Sequence, residues 1–222
     1  MELRLTKKNI LIVGCGDIGI PLGTALAEAG YDVWGLRRSS SLPAPINTIY
    51  ADVTKPETLA ALRQQSWHYV VVTLTPDEYN DQAYCRTYVE GLQNVIAEFA
   101  VSKNAEHSIK RLLFISSTSV YQQRDGGWVN ECSATEPSGY SGKRLLQAER
   151  LLDTSAIPST VVRFAGIYGP GRRRLIDQVL AGQGCAESPP LFTNRIHRDD
   201  CVGFLKHLIL EDERGVRIEP LY

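Results

Sequence analysis

Apolar and polar residues alternate along the chain in blocks that predict strands and helices in turn. Six short apolar runs rich in β-branched residues predict strands at 9–13, 31–36, 48–51, 69–75, 111–116 and 160–164. Runs with helical spacing lie between several of them, at 20–30, 55–65, 80–101 and 142–153. Strands that alternate with helices at this spacing predict an α/β fold, with a parallel sheet covered on both faces through right-handed crossovers.

The length of 222 residues predicts a single domain. We expect the segment from about 165 to 222 to contribute a small C-terminal lobe to it. The Ser and Pro residues within 37–47 predict a flexible connection there. The apolar residues of 215–222 are compatible with a last strand.

Composition and charge exclude several classes of protein. The chain is 43% hydrophobic, and its 24 Lys and Arg nearly balance its 25 Asp and Glu, so neither a nucleic acid nor a membrane surface is expected as partner. No secretory signal or membrane-spanning run is visible, which favours the cytoplasm. The five cysteines are expected to be free thiols, and with the four histidines they show no metal-ligand spacing.

A glycine-rich turn follows the first predicted strand. The stretch GCGDIG (14–19) fits G-x-G-x-x-G between a strand and a helix. Gly14 would permit the tight turn, Gly16 would let a pyrophosphate approach, and Gly19 would let helix and strand pack closely. The amides at the start of the helix, including those of Asp17 and Ile18, would face the phosphates. The pattern predicts a Rossmann-type dinucleotide site.

The residues after the next strands bear on which dinucleotide is bound. At the end of the second strand the chain has Arg37 and Arg38 and no acid, which favours NADP over NAD because guanidinium groups pair with a 2′-phosphate. Two solvated loop arginines remain the alternative reading. Asp52 would either face the adenine or serve as a turn residue. We also assign Leu74 and Thr75, which end the fourth predicted strand, to the cofactor site.

Several later segments resemble the extended or atypical short-chain dehydrogenases/reductases of the NAD-dependent epimerase/dehydratase type. They are VEGLQNVIAEFA (89–100), RLLFISSTSVY (111–121), VVRFAGIYGPGR (161–172) and NRIHRDD (194–200). The resemblance covers nearly the whole chain. It implies an enzyme in which a tyrosine transfers a hydroxyl proton, a lysine lowers the pKa of that tyrosine, and a Ser or Thr binds the substrate oxygen. Extended members usually continue beyond this length, so the lobe is expected to be small or the chain incomplete.

The resemblance places these roles on Ser117, Tyr140 and Lys143, but the spacing departs from the family pattern. The family has Y-x-x-x-K with a glutamate four residues further on, whereas Tyr140 and Lys143 are three apart. Counted back from Glu149, the lysine and tyrosine positions fall on Leu145 and Ser141. A shift of one residue still leaves both side chains on one helix face. A working pair and a degenerate site therefore both stay open.

Three residues are assigned to a substrate by the same resemblance. Thr118 flanks Ser117, and Arg172 and Arg195 are candidates to hold a diphosphate, because the position where relatives often carry an arginine is Thr193 here. The alternative for Arg172 is a solvated loop. His197 is expected to be structural.

Two functions follow from this reading. The first is an NADP-dependent oxidoreductase or epimerase/dehydratase-like enzyme acting on a small sugar-like or nucleotide-linked substrate. The second is a non-catalytic NAD(P)-binding sensor or regulatory protein. The resemblance also implies a homodimer formed by the helices near 80–101 and 142–153.

Overall fold

The main sheet of the molecule has six parallel strands. The computed structural model describes residues 8–100, 109–123, 126–184 and 193–222. The strands are β1 Asn9–Val13, β2 Asp32–Arg37, β3 Asn47–Tyr50, β4 Tyr69–Val72, β5 Arg111–Ser117 and β6 Ser159–Phe164. Their order in the sheet is β3-β2-β1-β4-β5-β6. This is the order of a doubly wound dinucleotide-binding sheet, whose switch point lies between β1 and β4. The predicted fold class is confirmed.

The inner strands are buried on both faces, as their unbroken apolar runs predict. In β1, Leu11 and Val13 enter one hydrophobic core and Ile10 and Ile12 enter the other, and all four are fully buried. Successive side chains of a strand point to opposite faces, so one run of apolar residues serves two cores. The two helical layers are thereby attached to the same sheet.

The helices lie mostly where helical spacing occurs in the sequence. They are α1 Gly19–Glu28, α2 Asp81–Tyr84, α3 Gly91–Ala100, α4 Tyr140–Asp153, α5 Arg174–Leu180 and α6 Arg198–Glu213. A π-helical turn, Cys85–Glu90, joins α2 to α3, so the helix predicted at 80–101 is continuous from Asp81 to Ala100, and residue 101 lies outside the described residues. The predicted helix at 55–65 is a 3-10 helix, Pro56–Gln64.

The C-terminal part contains a second, small sheet. In it β7 Gly166–Tyr168 pairs in parallel with β8 Arg195–His197, and α5 precedes β8 along the chain. Helix α6 returns to the main body, where Cys201, Leu205 and Leu208 join the core cluster that contains Leu22 and Leu26 of α1. None of the helices among the described ranges is both long and apolar enough to cross a membrane.

The structure differs from the sequence prediction at the end of β4, in the connection after β2 and at residues 215–222. The fourth strand ends at Val72 instead of 75, so the residues that follow leave the sheet at its carboxyl edge. The connection after β2 is packed, because Leu42 and Ile46 within it are buried. Residues 215–222 form no regular strand, although the backbone N–H of Val161 donates to Pro220 O (2.9 Å) and that of Arg163 donates to Tyr222 O (2.7 Å).

Candidate functional site

A cavity of about 540 Å³ opens at the carboxyl ends of β1, β2 and β4. This is the switch point of the sheet, where ligands of open α/β folds bind. Every residue predicted for the cofactor except Gly19 lines it, namely Gly14, Gly16, Asp17, Ile18, Arg37, Arg38, Asp52, Leu74 and Thr75. The volume lies within the range of about 300–1,000 Å³ that is usual for ligand pockets.

The three glycines of the turn differ in what surrounds them. Gly14 has a φ of +81°, and a Cβ there would lie 3.0 Å from the Cα of Leu74. A Cβ on Gly19 would lie 3.0 Å from Cγ2 of Ile12, at the contact between α1 and β1. A Cβ on Gly16 would meet only Gly14 O, at 3.8 Å, so Gly16 is open toward the cavity. These surroundings match the turn, packing and ligand-approach roles expected of the pattern.

Four arginines line the cavity, and carboxylates engage two of them. Arg38 forms a two-pronged ion pair with Asp77, in which Nη2 lies 2.5 Å from Oδ1 and Nη1 contacts Oδ2. Arg172 Nε lies 2.7 Å from Asp17 Oδ2. Among the described residues, Arg37 and Arg86 have no hydrogen-bonding or ion-pair partner. The cavity therefore keeps two unpaired cations suited to an anionic ligand.

Asp52 stabilises a turn at the edge of the cavity. Its Oδ1 accepts hydrogen bonds from the backbone N–H of Thr54 (3.0 Å) and from the Thr54 hydroxyl (2.8 Å). Asp52 is therefore a turn residue, and it also lines the cavity at the end of β3.

Asp77 and Arg86 were not identified from the sequence. The signal for Asp77 was weak, because it is one of several polar residues in the loop that follows β4. Arg86 lies in the π-helical turn, and nothing distinguishes it in sequence from any other polar residue between the apolar positions of a helix. Thr73, Ala83 and Thr87 complete this wall of the cavity.

The predicted catalytic residues lie outside the cavity lining. Ser117 ends β5, and its Oγ accepts a hydrogen bond from the backbone N–H of Ser119 (3.1 Å). Thr118 begins the short 3-10 helix that follows. Tyr140 is the first residue of α4, and its hydroxyl donates to the backbone carbonyl of Tyr79 (2.6 Å). Among the described residues, no hydrogen bond joins Tyr140 to Ser117.

The first turn of α4 is attached to α2. The ring of Tyr140 packs edge-on against Tyr84 with centroids 5.2 Å apart, and Arg144 forms a bidentate pair with Asp81 at 2.7 and 2.8 Å. Lys143 is exposed, and its charge helps the hydrogen bond from Arg144 to lower the pKa of Asp81. Tyr140 and Lys143 thus both lie toward α2.

If the family pattern is aligned on Glu149, the site has no tyrosine–lysine acid–base pair. Leu145, at the family's lysine position, is 4% exposed and belongs to the hydrophobic core. Ser141, at the tyrosine position, is half-buried. A core leucine cannot bind a nicotinamide ribose or lower the pKa of a tyrosine, so in this register the usual chemistry is missing.

A buried polar network holds α4 against β5 and β6. Glu149 accepts from Ser116 Oγ (2.5 Å) and from Arg163 Nε (3.0 Å) and Nη2 (2.6 Å). Arg163 Nη1 also donates to the hydroxyl of Tyr121 (2.9 Å). The Arg163 and Glu149 side chains are only 8% and 7% exposed. This network joins the second half of α4 to β5 and β6.

The residues assigned to a substrate are dispersed. Arg172 lies in the cofactor cavity beside Asp17, and Arg195 lies in β8 over Gly166, where a Cβ would come within 2.7 Å of its Nη1. The Nδ1 atom of His197 accepts from the backbone N–H of Asp199 (3.3 Å) and thereby caps α6, which fits the structural role expected of His197. Of the three, Arg172 lines the cavity at the switch point, and Thr118 and Arg195 do not.

The thiols and acids of the described residues form no metal-binding cluster. Cys15, Cys85, Cys132 and Cys201 are free thiols there, while Cys185 lies outside the described residues.

Comparison with known proteins gives three concordant results. A family model described as the RmlD substrate binding domain matches residues 8–188. Protein YeeZ of Escherichia coli strain K12 is 27% identical over 95% of this chain and 76% of its own length. A solved protein from Methylobacillus flagellatus, which carries the provisional name NAD-dependent epimerase/dehydratase, is 39% identical with a TM-score of 0.80. That match covers 98% of this chain and 75% of the other.

A further solved structure shows what a related protein binds. The protein MoeE5, in complex with UDP-glucose and NAD, is 25% identical with a TM-score of 0.67 over 87% of this chain and 69% of the other.

Proposed function

Because the chain belongs to the RmlD substrate binding domain family, with its NAD-dependent epimerase/dehydratase fold, we propose that it is an NADP-dependent oxidoreductase or epimerase/dehydratase. The proposed substrate is a sugar-like or nucleotide-linked molecule, of the class that MoeE5 binds. The observation that carries the proposal is the cavity at the switch point, which joins a glycine turn to four arginines.

The residues around the cavity suit a dinucleotide phosphate. The amides of the glycine turn and the N-terminus of α1 provide donors and a partial positive charge for the pyrophosphate. Arg37 and Arg38, at the end of β2, lie where a 2′-phosphate on the adenosine ribose would be recognised. NAD, which lacks that phosphate, would leave both guanidinium groups without an anionic partner from the ligand.

The proposed catalytic residues are Ser117, Tyr140 and Lys143. When bound, the nicotinamide ring would supply the hydride acceptor or donor. Ser117 would hydrogen-bond the substrate oxygen, and Tyr140 would hold or release the hydroxyl proton. Tyr140 now donates to Tyr79 O, so it would have to exchange that acceptor for a substrate oxygen. Lys143 would favour the tyrosinate by its charge.

A second candidate function is supported by the buried Leu145. With a leucine at the family's lysine position, the protein would bind NAD(P) without turnover and serve as a redox sensor or regulatory partner. The two proposals share the cofactor site and differ only at the start of α4.

Calorimetric titration with NADPH and then NADH tests the shared premise. We expect micromolar NADPH binding, and at least about tenfold weaker NADH binding, because each charge-assisted hydrogen bond to the 2′-phosphate contributes about 1.5–3 kcal/mol. The Arg37→Ala/Arg38→Ala variant should lose that preference.

Arg173→Ala/Arg174→Ala is the matched control, since these two exposed arginines do not line the cavity. It should bind both nucleotides as the wild type does. Absence of binding of either nucleotide at millimolar concentration would refute the proposed function in both of its forms.

Two further proposals concern organisation. We propose that the segment from about 165 onward supplies the substrate lobe, since Arg172, which follows β7 in that segment, lines the cavity. We also propose a homodimer through the helices near 80–101 and 142–153, as the family resemblance implies. Sedimentation at several protein concentrations tests the dimer.

A further inference from the structure

Two of the cavity's charged side chains meet across its mouth. Arg38 follows directly after β2, and Asp77 lies in the loop after β4. Their bidentate ion pair connects loops that come from opposite sides of β1 in the sheet. Both side chains line the cavity, and they remain 56% and 62% exposed. Solvent and a ligand therefore both have access to this pair.

A second arginine acts on the same carboxylate. Arg86 lines the cavity from the π-helical turn and has no hydrogen-bonding or ion-pair partner among the described residues. The hydrogen bond from Arg38 lowers the pKa of Asp77, and the charge of Arg86 adds to that lowering. Asp77 is therefore an anion in the field of two guanidinium groups.

We propose that Asp77 occupies the anion position of this cavity, and that it sets the dinucleotide preference by competing with the 2′-phosphate for Arg38. The inference rests on the proposed function, because it assumes that a dinucleotide binds here. A phosphate that binds Arg38 has to displace the carboxylate or share the guanidinium with it. Arg86 is the second cation that then faces the phosphate.

The solvent exposure of the Arg38–Asp77 pair determines how much the removal of Asp77 should change the affinity for a ligand. Solvent-exposed ion pairs contribute little, and the usual range corresponds to about a two- to fivefold change in an equilibrium constant. Removing Asp77 should therefore strengthen binding of a 2′-phosphorylated ligand by about two- to fivefold. A ligand without that phosphate gains nothing from a freed Arg38, so its affinity should stay unchanged.

The test uses two small probes, 2′,5′-ADP and 5′-AMP, titrated calorimetrically into the full chain. We expect Asp77→Asn to bind 2′,5′-ADP about two- to fivefold more tightly than the wild type and 5′-AMP equally well. Arg86→Gln should bind 2′,5′-ADP about tenfold more weakly, since it loses a charge-assisted contact. The 5′-AMP affinity of Arg86→Gln should not change.

Asp81→Asn is the matched control. Asp81 lies four residues further along the same segment and also pairs with an arginine, Arg144, but it does not line the cavity. This variant should leave both affinities unchanged. The double variant Arg38→Gln/Asp77→Asn should show no gain over Arg38→Gln, because Asp77 is proposed to act through Arg38 and not through its charge alone.

The outcomes separate this inference from the proposed function. If the wild type binds neither probe nor NADPH, the proposed function fails and the inference fails with it. If the wild type binds NADPH but Asp77→Asn leaves the ratio of the two probe affinities unchanged, the inference alone is overturned. An equal gain for both probes, or a gain that persists without Arg38, overturns it as well.

Discussion

The cavity at the switch point and helix α4 are stabilised by ion pairs of opposite kinds. The cavity is bordered by two exposed ion pairs, Arg38–Asp77 and Arg172–Asp17, in which all four side chains keep more than a third of their surface in solvent. The body of α4 is held against β6 by Glu149 and Arg163, whose side chains are almost fully buried. Exposed pairs can exchange partners with a ligand at little cost, whereas a buried pair cannot be broken cheaply. The cavity is suited to binding, and the α4 region is suited to holding side chains in place.

The largest expected difference in the free energy of unfolding is between removing one partner of the buried pair and removing one partner of an exposed pair. Glu149→Gln leaves Arg163 as a buried charge without a carboxylate, which should lower the free energy of unfolding by about 3–5 kcal/mol. Asp17→Asn removes an exposed partner of Arg172 and should cost about 1 kcal/mol or less. Urea denaturation followed by circular dichroism measures both. Equal losses for the two variants would abolish the contrast between the regions.

Turnover distinguishes an active α4 region from a degenerate one. If Tyr140 transfers a proton, Tyr140→Phe should lower kcat by about 100-fold or more, with the NADPH affinity unchanged. Tyr79→Phe is the control, because Tyr79 contacts Tyr140 through its backbone carbonyl and its own side chain is 79% exposed. Chromatographic separation of the product from a nucleotide sugar that the wild type converts measures kcat. A fully active Tyr140→Phe would refute the proposed role of this residue.

A smaller change in stability is expected at the point where α4 approaches the residues that follow β5. A Cβ on Gly142 would lie 2.2 Å from the backbone oxygen of Ser119, so Gly142→Ala forces the helix to shift and should cost about 1–3 kcal/mol. Gly203→Ala, within α6, meets nothing within 4 Å and should instead stabilise by about 0.5–1 kcal/mol. Thermal unfolding compares the two variants. A stabilised Gly142→Ala would show that α4 is not tightly seated.

Sequence predicted the sheet and the glycine turn well because both depend on local patterns. Buried strands need continuous apolar residues, and a phosphate turn needs glycines at fixed spacing, as Gly14 and Gly19 illustrate. The partners of Arg38 and Arg172 could not be predicted, because Asp77 and Asp17 are far from them along the chain. The orientation of Tyr140 depends on Tyr79, in the loop after β4, and on Tyr84, in α2, and no spacing rule within α4 could indicate it.

The backbone hydrogen bonds between residues 220–222 and β6 have a consequence for assembly. An exposed edge strand offers unpaired N–H and C=O groups to any other extended chain. The N–H and C=O of Val161 and the N–H of Arg163 are already bonded to residues 220–222. Along that stretch the sheet cannot be lengthened by a strand from a neighbouring molecule, so contact between two copies on this side has to be made by side chains and not by a shared sheet.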